Sequence, residues 1–191
     1  MAQVPHTIRR WSRVEYERLV ELGVFDGDPV ELIGGQLVVA EPQGAYHASV
    51  LGAADDALRA ALSRGWIVRA QMPVSLDYES APEPDLAIVR GARADYRAAH
   101  PMVPDLALEV ADTSLTFDRR EKGSLYARAG VPEYWIVNVV DRVLEIYREP
   151  AQDASAPYGW SYGFVERCAP PATVTSSAVV MAPIAVSALF P

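Results

Sequence analysis

The order of elements legible in the sequence predicts one α/β domain built on a mixed sheet. Three observations carry that prediction. From residue 46 onward the pattern reads helix, several strands, helix, strand. The runs Asp105 to Ala111, Phe117 to Ala129 and Glu133 to Val139 fit strand, helix and strand into about 35 residues, the span of a right-handed parallel crossover. Of the 191 residues, 50% are hydrophobic and 22% charged, which is enough apolar material for a single packed core.

The elements follow in order. Ser12 and Glu15 form a capping box that opens a first helix, with Trp11 placed to staple onto Tyr16. Val14, Leu19 and Leu22 supply its apolar stripe and Gly23 stops it. Val30 to Ile33 and Gln36 to Ala40 flank Gly34-Gly35, the spacing of a tight hairpin. That glycine pair is a turn and not a phosphate loop, since neither a helix nor a GK[ST] run follows it. Tyr46 to Ser63 reads as a second helix. β-type runs follow at Trp66 to Ala70 and Pro73 to Tyr78, then interior strands at Asp85 to Val89 and Asp105 to Ala111. A third helix over Phe117 to Ala129 ends at Gly130 and Pro132. Strands Glu133 to Val139 and Val143 to Arg148 are joined by a turn at Asp141-Arg142, and Glu149 to Gly159 reads as an exposed loop. From Trp160 onward the chain has β character interrupted by Pro170-Pro171 and Pro183. The expected organisation is a single domain over 1–191, with its core at about 30–148 and a C-terminal β extension at 160–191.

Composition excludes several classes. The chain is too apolar for a disordered segment. The lone Cys168 cannot form an internal disulfide, and no Cys/His cluster has zinc spacing. The opening residues, MAQVPHTIRRWSR, lack the apolar centre of a signal peptide, and no apolar run approaches a membrane span, so a soluble cytoplasmic protein is expected. A net charge of -8 argues against a non-specific nucleic-acid binder. Of the 17 basic residues, 16 are arginine and only Lys122 is lysine.

Strand alternation isolates the chemistry-bearing residues. Leu86 and Ile88 share one face of their strand while Asp85 and Ala87 take the other. Leu106, Leu108 and Val110 share a face while Ala107, Glu109 and Ala111 oppose them. If the two strands are neighbours, the alanine side forms a shallow acidic groove with room for a ligand. Carboxylates inside apolar strands are costly unless paired, hydrogen-bonded or bound to a metal, and two together call for a cation such as Mg²⁺ or Mn²⁺. The plainer alternatives are that Asp85 only begins a strand after Pro84, and that Glu109 pairs with an arginine. Lys122 shares a helix face with Asp118, four residues earlier, near the end of the strand that holds Glu109. From there an ammonium can stabilise charge developing in phosphodiester hydrolysis. The alternative is a surface residue or a helix ion pair with Asp118. A chain that spells nearly every other cation as arginine weighs against a casual lysine.

Several segments, taken in order, are familiar. Val30-Glu31-Leu32-Ile33-Gly34-Gly35, Pro84-Asp85-Leu86-Ala87-Ile88-Val89, Leu108-Glu109-Val110, Asp118 with Lys122 and Tyr126, and Gly130-Val131-Pro132-Glu133-Tyr134-Trp135-Ile136-Val137 resemble the Uma-two-type family of endonucleases, within the PD-(D/E)XK nuclease superfamily. The resemblance runs from about residue 12 to residue 148 and more loosely to the end. It implies a restriction-endonuclease-like αβββαβ core, in agreement with the element order, and a Mg²⁺- or Mn²⁺-dependent hydrolase of nucleic acid, with DNA the expected polymer. Asp85 matches the aspartate of the PD pair and Glu109 the acid of the third strand, both implied metal ligands. The parent motif has a lysine two residues beyond that acid; Ala111 stands there, and the resemblance implies that Lys122 on the following helix takes its place. Glu31 matches a glutamate implied to complete the metal shell, with a solvent-facing residue as the alternative. His47 matches a recurrent histidine implied to orient a water or phosphate, against a capping or core role. Arg119 and Arg120 are candidate phosphate contacts.

Other constellations carry less. Ser114 could form a triad with His47 or His100 only on paper, since no nucleophile-elbow glycines surround it. Tyr134 and Trp135 read as core. The expected function is therefore a divalent-metal-dependent endonuclease hydrolysing DNA phosphodiester bonds. The alternatives are an inactive nuclease-fold binding or scaffold module, and a metal-dependent hydrolase of a small phosphorylated substrate. The hydrolase reading requires the carboxylates of Asp85 and Glu109 to converge. No membrane partner is expected. A homodimer is compatible with cutting two strands, but no residue pattern specifies it.

Overall fold

The computed structural model describes residues 8–40 and 43–191. The first half of the stretch read as lacking a signal-peptide centre, residues 1–7, lies outside the described residues. No helix among the described residues is long and apolar enough to cross a membrane.

Helix α1 (Arg13–Glu21) begins as its capping box requires: the Glu15 amide reaches the Ser12 hydroxyl, and the Glu15 carboxylate accepts the Ser12 amide at 3.0 Å. Only Tyr16 of this helix is buried, packed with Leu32 and Ala81, and its hydroxyl donates to the Val30 carbonyl. Val14 and Leu22 face solvent, so the expected stripe is not what docks the helix. Strands β1 (Val30–Ile33) and β2 (Gln36–Val39) pair around Gly34 and Gly35, whose φ values of 54° and 78° are those of a type I′ turn.

Helix α2 (Ala45–Ala61) is followed by β3 (Trp66–Ala70), β4 (Leu86–Arg90) and β5 (Leu106–Ala111), all antiparallel neighbours. A helical crossover then leads to β6 (Glu133–Asn138), which pairs in parallel with β5. β7 (Val143–Gln152) and β8 (Trp160–Cys168) complete a six-stranded mixed sheet in the order β3-β4-β5-β6-β7-β8. A short pair, β9 (Thr173–Val174) and β10 (Ile184–Ala185), lies in the C-terminal segment.

Two sequence expectations give way here. Pro73 to Tyr78 is not a strand of the sheet. Its backbone bonds run to irregular partners instead, the Val74 amide to Pro82 and the Ser75 amide to Pro101. Glu149 to Gly159 is not all loop either: β7 continues to Gln152 because β8 returns alongside it, pairing Pro150 with Tyr162 and Gln152 with Trp160.

Each face of the sheet has its own cover. Leu86, Ile88, Leu106, Leu108, Val110, Trp135 and Val137 pack under α2 and the C-terminal segment, against Val50, Leu58, Val186 and Leu189. Ala87, Ala107, Ala111, Tyr134 and Ile136 face Ile33 of the hairpin, Val74, and the helix after β5. Strand alternation thus sorts bulky from small residues as the sequence implied. The C-terminal segment is held by Glu133 at the start of β6. Its wholly buried carboxylate accepts the Ser176 hydroxyl at 2.6 Å, the Ser177 amide at 2.8 Å and the Trp135 indole at 2.9 Å, and pairs with Arg148.

Candidate active site

The alanine side of the sheet carries the acidic residues. Ala87 lies directly opposite Ala107, which brings Asp85 and Glu109 together at the mouth of the β4–β5 pair. The two are cross-linked through the backbone. The Asp85 amide donates to Oε2 of Glu109 at 3.3 Å, and the Val110 amide donates to Oδ2 of Asp85 at 2.8 Å. Both side chains are buried.

The helical crossover is not one regular helix. α3 (Leu115–Phe117) runs into a π turn at Asp118–Lys122 and then into α4 (Gly123–Arg128). In that turn the Gly123 amide reaches the Asp118 carbonyl, five residues back. Asp118 and Lys122, four residues apart, both point inward, while Arg119 and Arg120 between them face out. Glycine suits the junction: a Cβ at Gly123 would lie 3.3 Å from the Asp118 carbonyl oxygen.

Lys122 places Nζ 3.0 Å from Oε1 of Glu109 and 3.6 Å from Oε2 of Glu31. Tyr126, one turn on, donates its hydroxyl to the same Glu109 oxygen at 2.8 Å. Glu31 enters from β1, where its neighbours Leu32 and Ile33 bury the strand; its Oε2 also accepts the Glu83 amide at 3.0 Å. Asp118 accepts the Ser114 hydroxyl at 2.6 Å. His47, in the first turn of α2, sets Nε2 3.7 Å from Oδ2 of Asp85, and that nitrogen is buried without a partner among the described residues. Gln43 approaches the other Asp85 oxygen at 3.5 Å.

Five carboxylates, from Glu31, Glu83, Asp85, Glu109 and Asp118, thus surround one ammonium. Burial pushes the Glu109 carboxyl well above its usual range, Lys122 pulls it back, and the neighbouring acids add to the rise. Asp118 is raised to about 6 by burial, against the pull of Lys122 and the Ser114 hydrogen bond. Burial and the charge on Glu31 raise Glu83. For Lys122 burial alone would favour the neutral amine, but the ring of carboxylates outweighs it and holds the ammonium charged. Burial and Glu109 likewise keep the Tyr126 phenol protonated, so it serves as a donor. Glu109, Asp118 and Glu83 therefore hold their protons more readily than ordinary carboxyls, and the ammonium of Lys122 is what favours their ionisation.

Asp85, Glu109, Lys122 and Glu31 come together, with His47 at the edge. Arg119 does not join them: it grips Glu145 of β7 through two nitrogens, with Nε at 2.9 Å. Arg120 faces a separate cleft, lined by Tyr147 and Trp160, that none of the five carboxylates reaches. The groove expected beside the alanines is filled by Ile33, Leu125, Tyr126 and Tyr134. Ser114 is spent on Asp118, and His100 lies against Arg69, with Nδ1 at 3.1 Å, so no triad exists with either histidine. Reading the sequence by residue type missed Tyr126, Glu83 and Asp118 as members of the cluster. Tyr126 and Asp118 had a signal, standing four residues to either side of Lys122. Glu83 had only its place between two prolines.

The donor set is hard oxygen. Among the described residues no three His, Cys, Asp or Glu side chains converge into a ready-made metal cage. Mg²⁺ is commonly held by one or two carboxylates together with waters and substrate phosphates. The adjacent Asp85 and Glu109 carboxylates fit that pattern.

The comparisons with known proteins agree with this architecture. Residues 13–172 match the family model described as "Uma2: Putative restriction endonuclease". Among solved structures the chain is similar to one from Anabaena variabilis, described as "a putative nuclease belonging to DUF820". The two share 15% sequence identity at a TM-score of 0.56, over 84% of this chain and 89% of that one. No curated protein matches the sequence. At that identity the solved structure speaks for the fold, a restriction-endonuclease-like α/β core with a mixed sheet, and the family model, spanning most of the chain, supplies the assignment. The chain belongs to the Uma2 family of nucleases.

Proposed function

We propose that the protein is a divalent-metal-dependent endonuclease that hydrolyses phosphodiester bonds of DNA, with Asp85, Glu109 and Lys122 as its catalytic residues. The observation that carries this reading is the meeting of Asp85, Glu109 and the only lysine of the chain in one buried cluster. Asp85 and Glu109 would hold the ion, with Glu31 within reach of the same centre. When bound, the ion supplies a lowered pKa for a coordinated water and neutralises charge on the scissile phosphate.

The residues of the chain have separate tasks. Tyr126 fixes Oε1 of Glu109 and the Asp85 amide fixes Oε2, so the carboxylate cannot swing away. The Val110 amide orients Asp85. Lys122 stays protonated among the acids, so it acts as a fixed positive charge for the phosphorane oxygens and not as a base. His47, with its unpartnered Nε2 beside Asp85, is positioned to hold a water or a phosphate oxygen.

The test is cleavage of plasmid and single-stranded DNA in Mg²⁺ or Mn²⁺ by the wild type, Glu109→Ala and Lys122→Ala. Metal-dependent cleavage by the wild type, lost in both variants, is expected. Cleavage undiminished in both would mark a contaminating nuclease and end this reading. A second reading, a nuclease fold that binds without cutting, is favoured by the packing of Ile33, Leu125, Tyr126 and Tyr134 over the alanine side of the sheet. Retained DNA binding with no cleavage under any divalent cation would select it.

A further inference from the structure

The π turn that carries Lys122 inward carries Arg119 and Arg120 outward, and on that outer side lies a second cleft. It has a volume of about 310 Å³ and lies between the helix and the β7–β8 hairpin, lined by Arg119, Arg120, Tyr147 and Trp160 with serines of the hairpin. No aspartate or glutamate lines it among the described residues. In a chain of net charge -8, a cleft with no acid in its lining and with Arg120 as a cation that no carboxylate pairs among the described residues favours an anion. The larger cleft, of about 430 Å³ beside α1, is opposite in character: Glu17, Glu21 and Glu83 line it against Arg13 and Arg97. An anion selects the first and is repelled by the second.

The two arginines are not equivalent. Arg119 is locked onto Glu145. Arg120 is exposed and makes no hydrogen bond or ion pair among the described residues, so its guanidinium is free to take a phosphate. Trp160 lines the same cleft, half-buried, and its ring belongs to no aromatic pair among the described residues. A free guanidinium and a part-exposed indole lining one cleft this small are the elements of a subsite for one nucleotide, its phosphate on the cation and its base against the ring. A base inside a duplex is stacked on both faces and cannot enter.

We infer that this cleft holds an unpaired nucleotide of the substrate strand, away from the acid cluster, so that the preferred substrate is single-stranded or frayed nucleic acid. The inference rests on the nuclease reading for its substrate, and its test is read by binding. A short fluorescein-labelled single strand and the matching duplex are titrated with protein by fluorescence anisotropy, with Ca²⁺ in place of Mg²⁺, over a range of salt. The wild type should bind the single strand at least about tenfold more tightly than the duplex. Arg120→Ala, an exposed substitution, should weaken single-strand binding and reduce the salt slope by about 0.7, the loss of one phosphate contact. Trp160→Leu should cost about tenfold, with Trp160→Phe restoring most of it. Equal affinity for strand and duplex, or an unchanged slope in Arg120→Ala, overturns the subsite, as does a mononucleotide binding as tightly as the oligonucleotide. Metal-dependent cleavage that Lys122→Ala abolishes, with Arg120→Ala binding like wild type, removes the subsite and leaves the nuclease. Arg120-dependent strand binding without cleavage under any divalent cation removes the nuclease and leaves the subsite.

Discussion

The ammonium of Lys122 sits 3.0 Å from Oε1 of Glu109, an oxygen that also accepts the Tyr126 hydroxyl at 2.8 Å. One carboxylate oxygen on the sheet is thus gripped by two residues one helical turn apart. That contact joins the crossover helix to β5 at the place where four further acids gather.

If Lys122 is the fixed charge of the site, Lys122→Ala should lower the cleavage rate about 10² to 10³-fold with little change in DNA affinity. Lys122→Arg should rescue little, because a planar guanidinium cannot occupy the place of a compact ammonium among buried carboxylates. Full activity in Lys122→Arg, measured by single-turnover cleavage, would contradict this.

A divalent cation held by Asp85 and Glu109 should be visible without any reaction. Mg²⁺ or Mn²⁺ should raise the melting temperature of the wild type in proportion to the logarithm of its concentration above Kd. Asp85→Asn and Glu109→Gln should flatten that response. An identical metal-induced shift in both variants would move the ion elsewhere.

Asp118 offers a test of sign. Its folded pKa of about 6 lies above the ordinary 3.8, so ionisation is harder in the folded state. Its contribution to stability is therefore favourable at low pH, falls as pH rises from 3.8 to about 6, and is constant above that. Asp118→Asn, which keeps the Ser114 hydrogen bond, should stabilise the metal-free protein at pH 7 by up to about 3 kcal/mol. Denaturant melts showing a loss of stability at pH 7 would count against a strained acid cluster.

Glu145 behaves in the opposite way. It is buried, but hydrogen bonds from Arg119, Asn138 and Tyr147 outweigh that and lower its carboxyl to about 2. Its stabilisation is complete above the unfolded value of 4.5 and is lost as pH falls toward 2. Glu145→Gln should flatten the acid limb of the stability curve, and an unaltered limb would show that the Arg119 clamp contributes little.

Removing the Glu133 carboxylate leaves Arg148 and the buried donors of Ser176 and Trp135 without their acceptor. Glu133→Ala should cost about 3 to 5 kcal/mol and expose residues 173–186 to limited proteolysis. Wild-type protection of that segment would show that apolar packing alone holds it.

Much of this was legible from local pattern. Alternation placed Asp85 and Glu109 opposite the bulky residues of their strands, since a strand has only two faces. The capping box and the Gly34-Gly35 turn need nothing beyond their own neighbours. The paired glycines also made the hairpin certain enough to carry Glu31. The segment Pro73 to Tyr78 failed because its residues alternate like a strand while their amides bond to Pro82 and Pro101. Nothing local reveals a missing ladder.

The sequence alone determined which residues could do chemistry, the order of the elements that carry them, and the singularity of Lys122. Tertiary structure decided which of those residues share a centre. The packing of the crossover helix on the sheet turns the shared face of Asp118 and Lys122 onto the acids and leaves Arg119 and Arg120 outside. Burial decided the rest: removing water from five carboxylates and one ammonium makes their mutual distances, and not their identities, set which of them hold charge.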